Sequence, residues 1–230
     1  SHNISVELTQ RSLTLSGILS GATANLNKTG DGILVLGSSN NTYGGSTTVT
    51  DGILRYGVAN AIPTGSAVTV LEGALLDITL GGTSVIVGSL ASNSATQGGV
   101  VYHGATSGTN TFTTGGDNTT TSFGGVIANA SGSTLNFVKE GTGALTLGGA
   151  NQYNGSTTVA NGRLIAQPVG GNSPLGTSQS LIMGGSTTAG ILQLGNGTGA
   201  LNHTFTSISS QGTATTNQIV SGNATAATLT

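Results

Sequence analysis

The sequence predicts an all-β chain wound as a parallel β-helix. Three observations carry that prediction. The composition is hostile to helix, apolar and polar residues alternate in short runs, and one long block of sequence occurs twice.

The chain holds 40 Gly, and Thr, Ser and Asn fill much of the rest. Gly costs about 1 kcal/mol per residue in a helix interior relative to Ala. Thr, Ser and Asn also favour other backbone states. No window keeps apolar residues at three- and four-residue spacing, so helix is expected to be nearly absent. Low charge and much Gly would also suit a disordered tract, but hydrophobic residues make up 35% and alternate. The runs SLTLSG (12–17), GILVLG (32–37), SAVTVLEG (66–73), ALTLGG (144–149) and GILQLG (190–195) have the period of a half-buried strand. Disordered segments lack that pattern.

Composition also excludes functions. Five Lys+Arg and a net charge of −2 leave no basic stripe for nucleic acid. No apolar run approaches the roughly 20 residues of a membrane helix. The chain opens with no basic-then-apolar leader. Without Cys there is no disulfide and no thiolate metal site.

The duplication sets the architecture. KTGDGILVLG (28–37) and KEGTGALTLG (139–148) share the pattern K-x-G-x-G-x-L-x-L-G. NTYGGSTTVTDGIL (41–54) and NQYNGSTTVANGRL (151–164) follow them and agree at nine of fourteen positions. A weaker pair comes next, AIPTGSAVTV (61–70) and NSPLGTSQSLIM (172–183), and GGVVYHGATSGTNTFTT (98–114) is echoed by NQIVSGNATAATLT (217–230). The chain reads as one continuous solenoid over 1–230 with two super-repeats of about 110 residues, roughly 17–124 and 125–230. Strand signals recur every 20 to 25 residues or so, the spacing of stacked coils, which gives roughly ten coils. Leu34, Leu36, Leu145 and Leu147 are expected to stack inward with Val49, Val159, Leu54 and Leu164, while Val35 and Thr146 face out. Gly30, Gly32, Gly52, Gly141, Gly143 and Gly162 mark corners. A compact antiparallel sandwich also has strands and Gly-rich turns, but it does not call for a repeated Lys-Gly-Gly-Leu-Leu block.

At these residues the sequence resembles the autotransporter-associated β-strand repeat, or passenger-associated transport repeat. Its pattern is K-x-G-x-G-x-L-x-L-x-G, then N-x-Y-x-G-x-T-x-V and G-x-L. Lys28, Gly30, Gly32, Leu34, Leu36, Asn41, Tyr43, Gly45, Thr47, Val49, Gly52 and Leu54 fit it. Lys139, Gly141, Gly143, Leu145, Leu147, Asn151, Tyr153, Gly155, Thr157, Val159, Gly162 and Leu164 fit it again. The resemblance implies a right-handed parallel β-helix in a secreted or surface protein of a Gram-negative-type bacterium. It brings no catalytic residues. A whole autotransporter ends in a membrane β-barrel, and four Tyr and four Phe do not supply the aromatic girdles of one.

Residues with chemistry are sparse. Glu7, Asp31, Asp51, Glu72, Asp77, Asp117 and Glu140 read as scattered singly, where a glycosidase needs paired carboxylates. Asp31 and Asp51 are the one pair expected on neighbouring coils, and Thr142 and Asn161 replace them in the second copy. His2, His103 and His203 are about 100 residues apart and read as surface or corner side chains. GGDN (115–118) is one piece of a calcium-repeat pattern, and a plain turn accounts for it. Lys28 and Lys139 read as solvated corner residues with stems over apolar surface. Tyr43 and Tyr153 read as packed over a coil corner, with stacking on sugar as the functional alternative. Thr47-Thr48, Thr119-Thr120-Thr121 and Thr157-Thr158 raise an ice-binding face, though their spacing is irregular.

The expected function is therefore non-enzymatic: a rigid extracellular stalk or fibre segment with an adhesive role and no cofactor, catalytic or metal site. Expected partners are further solenoid, end to end by self-association or covalent continuation, and a glycan or other surface. An ice-binding solenoid and a polysaccharide-cleaving β-helix are the alternatives.

Overall fold

A computed structural model describes residues 1–7, 11–80, 84–167, 169–170, 173–177, 180–197, 201–222 and 228–229. Among them there is no helix, and every paired strand runs parallel to its neighbour. The strands stack as a β-solenoid of about nine turns, close to the ten expected.

Four sheets form its sides. Sheet I stacks His2–Ser5, Leu26–Thr29, Thr47–Val49, Ala67–Val70 and Ser89–Ala91. Sheet II stacks Ser12–Leu15, Ile33–Leu36, Ile53–Tyr56, Leu75–Asp77, Val100–His103 and Val126–Asn129. Sheet III stacks Ser84–Val87, Thr109–Thr114, Thr134–Lys139, Thr157–Val159, Ser180–Met183 and Ser207–Ser210. Sheet IV stacks Thr121–Phe123, Ala144–Leu147, Gly162–Ala166, Gly190–Leu194 and Gln218–Ser221. Sheet IV carries on the side begun by sheet I, for the Ser92 N–H donates to the Ser122 carbonyl at 3.1 Å. The short pair Ser20–Gly21 with Thr42–Tyr43 begins the side that sheet III continues. The link between them is 61–66, where Ala61 accepts from Asn41 and Ser66 accepts from the Gly88 N–H. The coil thus has three sides.

Alternation within each strand builds the core. Register pairs Leu34 with Leu54, Leu54 with Leu76, Leu76 with Val101 and Val101 with Ile127, an aliphatic column sealed from solvent. Leu145, Leu164 and Leu192 form a matching column on sheet IV. Phe112 and Phe137 on sheet III and Tyr153, from the segment before Thr157–Val159, make an aromatic ladder with ring centres 6.3 and 5.7 Å apart. Offset and tilted rings at such separations attract beyond their buried area. The inward positions expected for Leu34, Leu36, Leu145, Leu147, Val49, Val159, Leu54 and Leu164 are all buried. Val35 is partly exposed, but Thr146 is buried rather than open. Its strand lies beside the segment around Ala95, which sits against Gly124 and Gly148. Spacing within the sequence carries no sign of that covering loop.

Candidate functional site

The residues singled out by the duplicated block converge on one construction, a coil corner built twice. Its centre is a lysine. Leu26 and Lys28 share one parity on their strand, as do Phe137 and Lys139, so each lysine points inward with the core residue before it. Both are sealed from solvent, at 0% and 1% exposed. This corrects the solvated-corner expectation. Strand parity was the signal that places them inside, and the general rarity of buried lysine outweighed it.

Each head group is satisfied by backbone. Lys28 Nζ donates to the carbonyls of Thr29 at 2.9 Å, Gly30 at 2.5 Å and Asp51 at 3.1 Å. Lys139 Nζ donates to Glu140 at 2.5 Å, Gly141 at 2.9 Å and Asn161 at 3.4 Å. Two acceptors belong to the lysine's own turn and the third to the turn of the next coil. The three ammonium protons match three acceptors. Burial lowers the pKa of both amines, and for Lys139 to about 8, against the pull of Glu140 and Asp117. For Lys28 the opposing carboxylates are Asp51, Asp31 and Glu7. Acids that read as scattered in sequence are therefore gathered by the winding around the two lysines. Asp31 and Asp51 do come to adjacent turns as expected, since the Asp31 backbone lies against Gly52. What stands beside them is a lysine head group already held by carbonyls.

The glycines make the turn possible. Gly30 and Gly141 have φ of 75° and 69°, and Gly52 and Gly162 have 59° and 64°. Those values favour a residue with no Cβ. Gly32 and Gly143 are needed for proximity instead: a Cβ on Gly143 would lie 2.1 Å from the Thr119 carbonyl oxygen. Asp51 and Asn161 each accept the following glycine's N–H at 2.8 Å, closing the turn with a side chain.

Asparagines tie three coils together. Asn41 Oδ1 accepts the Leu19 N–H at 2.7 Å from the coil before, and its Nδ2 donates to the Ala61 carbonyl at 2.8 Å in the coil after. Asn151 does the same with Ile127 at 2.7 Å and Pro174 at 2.7 Å. A second pair, Asn25 and Asn136, each accepts a serine N–H, from Ser46 and Ser156, at 2.9 Å. Tyr43 and Tyr153 are buried inside the corner and share hydrogen bonds with Thr47 and Thr157 at 2.7 and 2.8 Å. Burial raises the Tyr43 hydroxyl to about 12 and moves Tyr153 the same way. Neither ring presents a face to a sugar, so packing is their role.

Lys28 lies on sheet I and Lys139 on sheet III. The Leu34 strand lies on sheet II and the Leu145 strand on sheet IV. Equivalent residues of the two copies therefore sit on different sides of the coil, one side apart.

The other candidates resolve as follows. His103 is 1% exposed and lines the core, which corrects its assignment to the surface. Neither of its ring nitrogens has a hydrogen-bond partner, and burial lowers its pKa against the pull of Asp77 and the Ile78 backbone. His2 bonds the Ser20 carbonyl through Nε2 at 2.9 Å, and His203 packs on Phe205 with ring centres 4.5 Å apart. Asp117 in the GGDN segment accepts the Thr119 N–H at 3.0 Å and its hydroxyl at 2.7 Å, a turn. Burial alone would raise that carboxyl, but hydrogen bonds from Ser89 and Thr119, with Lys139 nearby, hold it low. Among the described residues no group of three His, Asp or Glu is placed to hold a metal ion. Thr47, Thr157 and Thr158 are buried, so the threonines do not form one exposed rank. Asn172, Ser178 and Gln179 of the third repeat pair lie outside the described residues, as do 223–227 and 230 of the last.

Comparison with known proteins agrees with this geometry. Residues 26–55 and 137–166 match the family described as passenger-associated-transport-repeat. The chain is also 41% identical over 163 residues to the adhesin BmaC autotransporter of Brucella suis biovar 1 (strain 1330). That alignment covers 70% of this chain and 4% of the relative. No solved structure matches. Two copies of one motif, each closed by the same buried lysine and three-coil asparagine, make this chain a β-solenoid that carries two passenger-associated transport repeats.

Proposed function

We propose that this chain is a rigid, adhesive segment of a passenger exposed on the outer surface of a Gram-negative-type bacterium, and that it performs no catalysis. One observation carries the reading. In both copies of the motif the lysine and asparagine are consumed in joining one coil to the next, and the tyrosine and threonine in closing on each other inside the corner. A corner so committed serves rigidity. The name of the BmaC relative supplies the adhesive half of the reading, and the chain spans 4% of that protein's length. Among the described residues no helix is long and apolar enough to cross a membrane.

We take the two super-repeats, roughly 17–124 and 125–230, as the working division of the rod. The partners proposed are a glycan or other surface lying along a solenoid side, and further solenoid, in the same polypeptide or another, at the open edges of the sheets. The buried and irregular threonines count against the ice-binding alternative. The lysine between Asp31 and Asp51 counts against a cleaving pair.

Electron microscopy of the isolated chain tests the rigid half. At about 4.8 Å per coil, nine coils give rods on the order of 40 Å long, and compact spheres would sink the reading. Beads coated with the chain test the adhesive half: they are expected to be retained on glycan-bearing surfaces in preference to beads coated with an unrelated solenoid. Equal retention would remove adhesion and leave the stalk.

A further inference from the structure

The chain has two lysines, and the fold hides both. Surface lysine is the commonest use of this residue, and here there is none. Each of the two occupies a position where register would otherwise place an apolar side chain. Lys28 pairs with Ile4 on one side and Val49 on the other. Lys139 pairs with Thr114 and Val159. The three carbonyls around each Nζ come from matching places in the two copies. They converge because Gly30, Gly52, Gly141 and Gly162 turn the backbone through positive φ on neighbouring coils. A ring of carbonyl oxygens is what a bare monovalent cation selects, and a protonated amine meets the same demand with directed hydrogen bonds.

We propose that each coil corner is a cation site made by the backbone of two successive coils, and that the lysine is a tethered ammonium ion filling it. The stem is the tether, and the head group is the clamp. The clamp closes only when the following coil arrives, since Asp51 and Asn161 supply the third acceptor from that coil. This goes beyond the stalk reading and does not depend on adhesion. It assigns a ligand class, primary ammonium, to a place in the fold.

Two substitutions separate tether from clamp. Lys139→Met keeps a long apolar stem and removes the donor. It is expected to lower the thermal midpoint by several degrees while the rod still forms. Lys139→Ala removes Cγ through Nζ, which is the outline of n-propylammonium. Added at neutral pH, n-propylammonium is expected to raise the midpoint of Lys139→Ala with a saturable dependence, and to leave the unaltered chain unmoved. Tetramethylammonium and n-propanol, the first unable to donate and the second uncharged, are expected not to do so. A Lys139→Met chain as stable as the original would overturn the clamp, and so would an n-propylammonium effect equal in both chains. If Lys139→Ala fails to fold, nitrogen NMR of the unaltered chain decides. Two lysine Nζ signals with slowly exchanging protons, each coupled to backbone carbonyl carbons, are expected. Fast exchange at either nitrogen would end the proposal. A rod that is seen but lacks these signals leaves the stalk reading standing, so the two failures are distinguishable.

Discussion

Gly141 has φ of 69°, and a Cβ placed on it would fall 1.8 Å from the Gly115 carbonyl oxygen. Backbone strain and overpacking act together there. Gly141→Ala is expected to cost roughly 2–5 kcal/mol. Gly65 is the internal control, since nothing lies within 4 Å of a Cβ built on it. Gly65→Ala is expected to leave stability unchanged or raise it by about 0.4–1 kcal/mol. Urea midpoints of the two variants check the contrast. His103 supplies a pH dependence. Its ring is buried with both nitrogens unpartnered, and its folded pKa lies below the ordinary 6.5. The unfolded chain therefore binds the proton first as pH falls, and stability drops on acidification below about 6.5. Asp77 faces the ring and favours its proton, but Arg55 holds that carboxylate at 2.7 Å. His103→Leu is expected to remove this part of the acid sensitivity. Thermal midpoints at pH 7.5 and 5 check it, and an undiminished drop in the variant would place the sensitivity elsewhere. The corner role of Gly141 was legible in the sequence, but the place of His103 was not. Histidine is an uncommon occupant of a core, and only strand register places His103 in line with Ile78 and Tyr56.

Between elements, the unit of cohesion is the side chain that bridges coils. Asn151 is the clearest case, because it satisfies the Ile127 N–H on one side and the Pro174 carbonyl on the other. Asn151→Ala strands both, at about 1–3 kcal/mol for each buried group left without a partner. A loss of roughly 2–4 kcal/mol is expected, with faster hydrogen exchange at the Ile127 amide. An exchange rate unchanged at Ile127 would show that the loss came from elsewhere. The strands themselves were easy to read. Alternation in GILVLG and ALTLGG placed Leu34, Leu36, Leu145 and Leu147 inside, because a period of two leaves a strand with one buried face only one choice. The bridging roles of Asn41 and Asn151 were harder to see. Asparagine beside glycine and tyrosine reads as turn chemistry, and partners some 20 residues away on either side leave no local trace.

At the scale of the molecule, the repeat alone made the architecture legible. Two Lys-Gly-Gly-Leu-Leu blocks required a stacked fold, and the stacked fold was found. What the repeat concealed was its own phase. Lys28 and Lys139 are 111 positions apart, yet they lie on different sides of the coil. The stretch between them is not a whole number of turns: it winds from sheet I through four full turns, and then on past sheet II to sheet III.

That offset makes the rod a screw. Were the unit to recur along a longer passenger, three copies would bring the lysine corner round to its starting side. The surface that rides on each copy would climb the shaft like a thread. No direction of approach would be favoured over another, and a flat partner would meet only every third copy. Reach and grip would then be shared out around the whole circumference, and the molecule would have no front and no back.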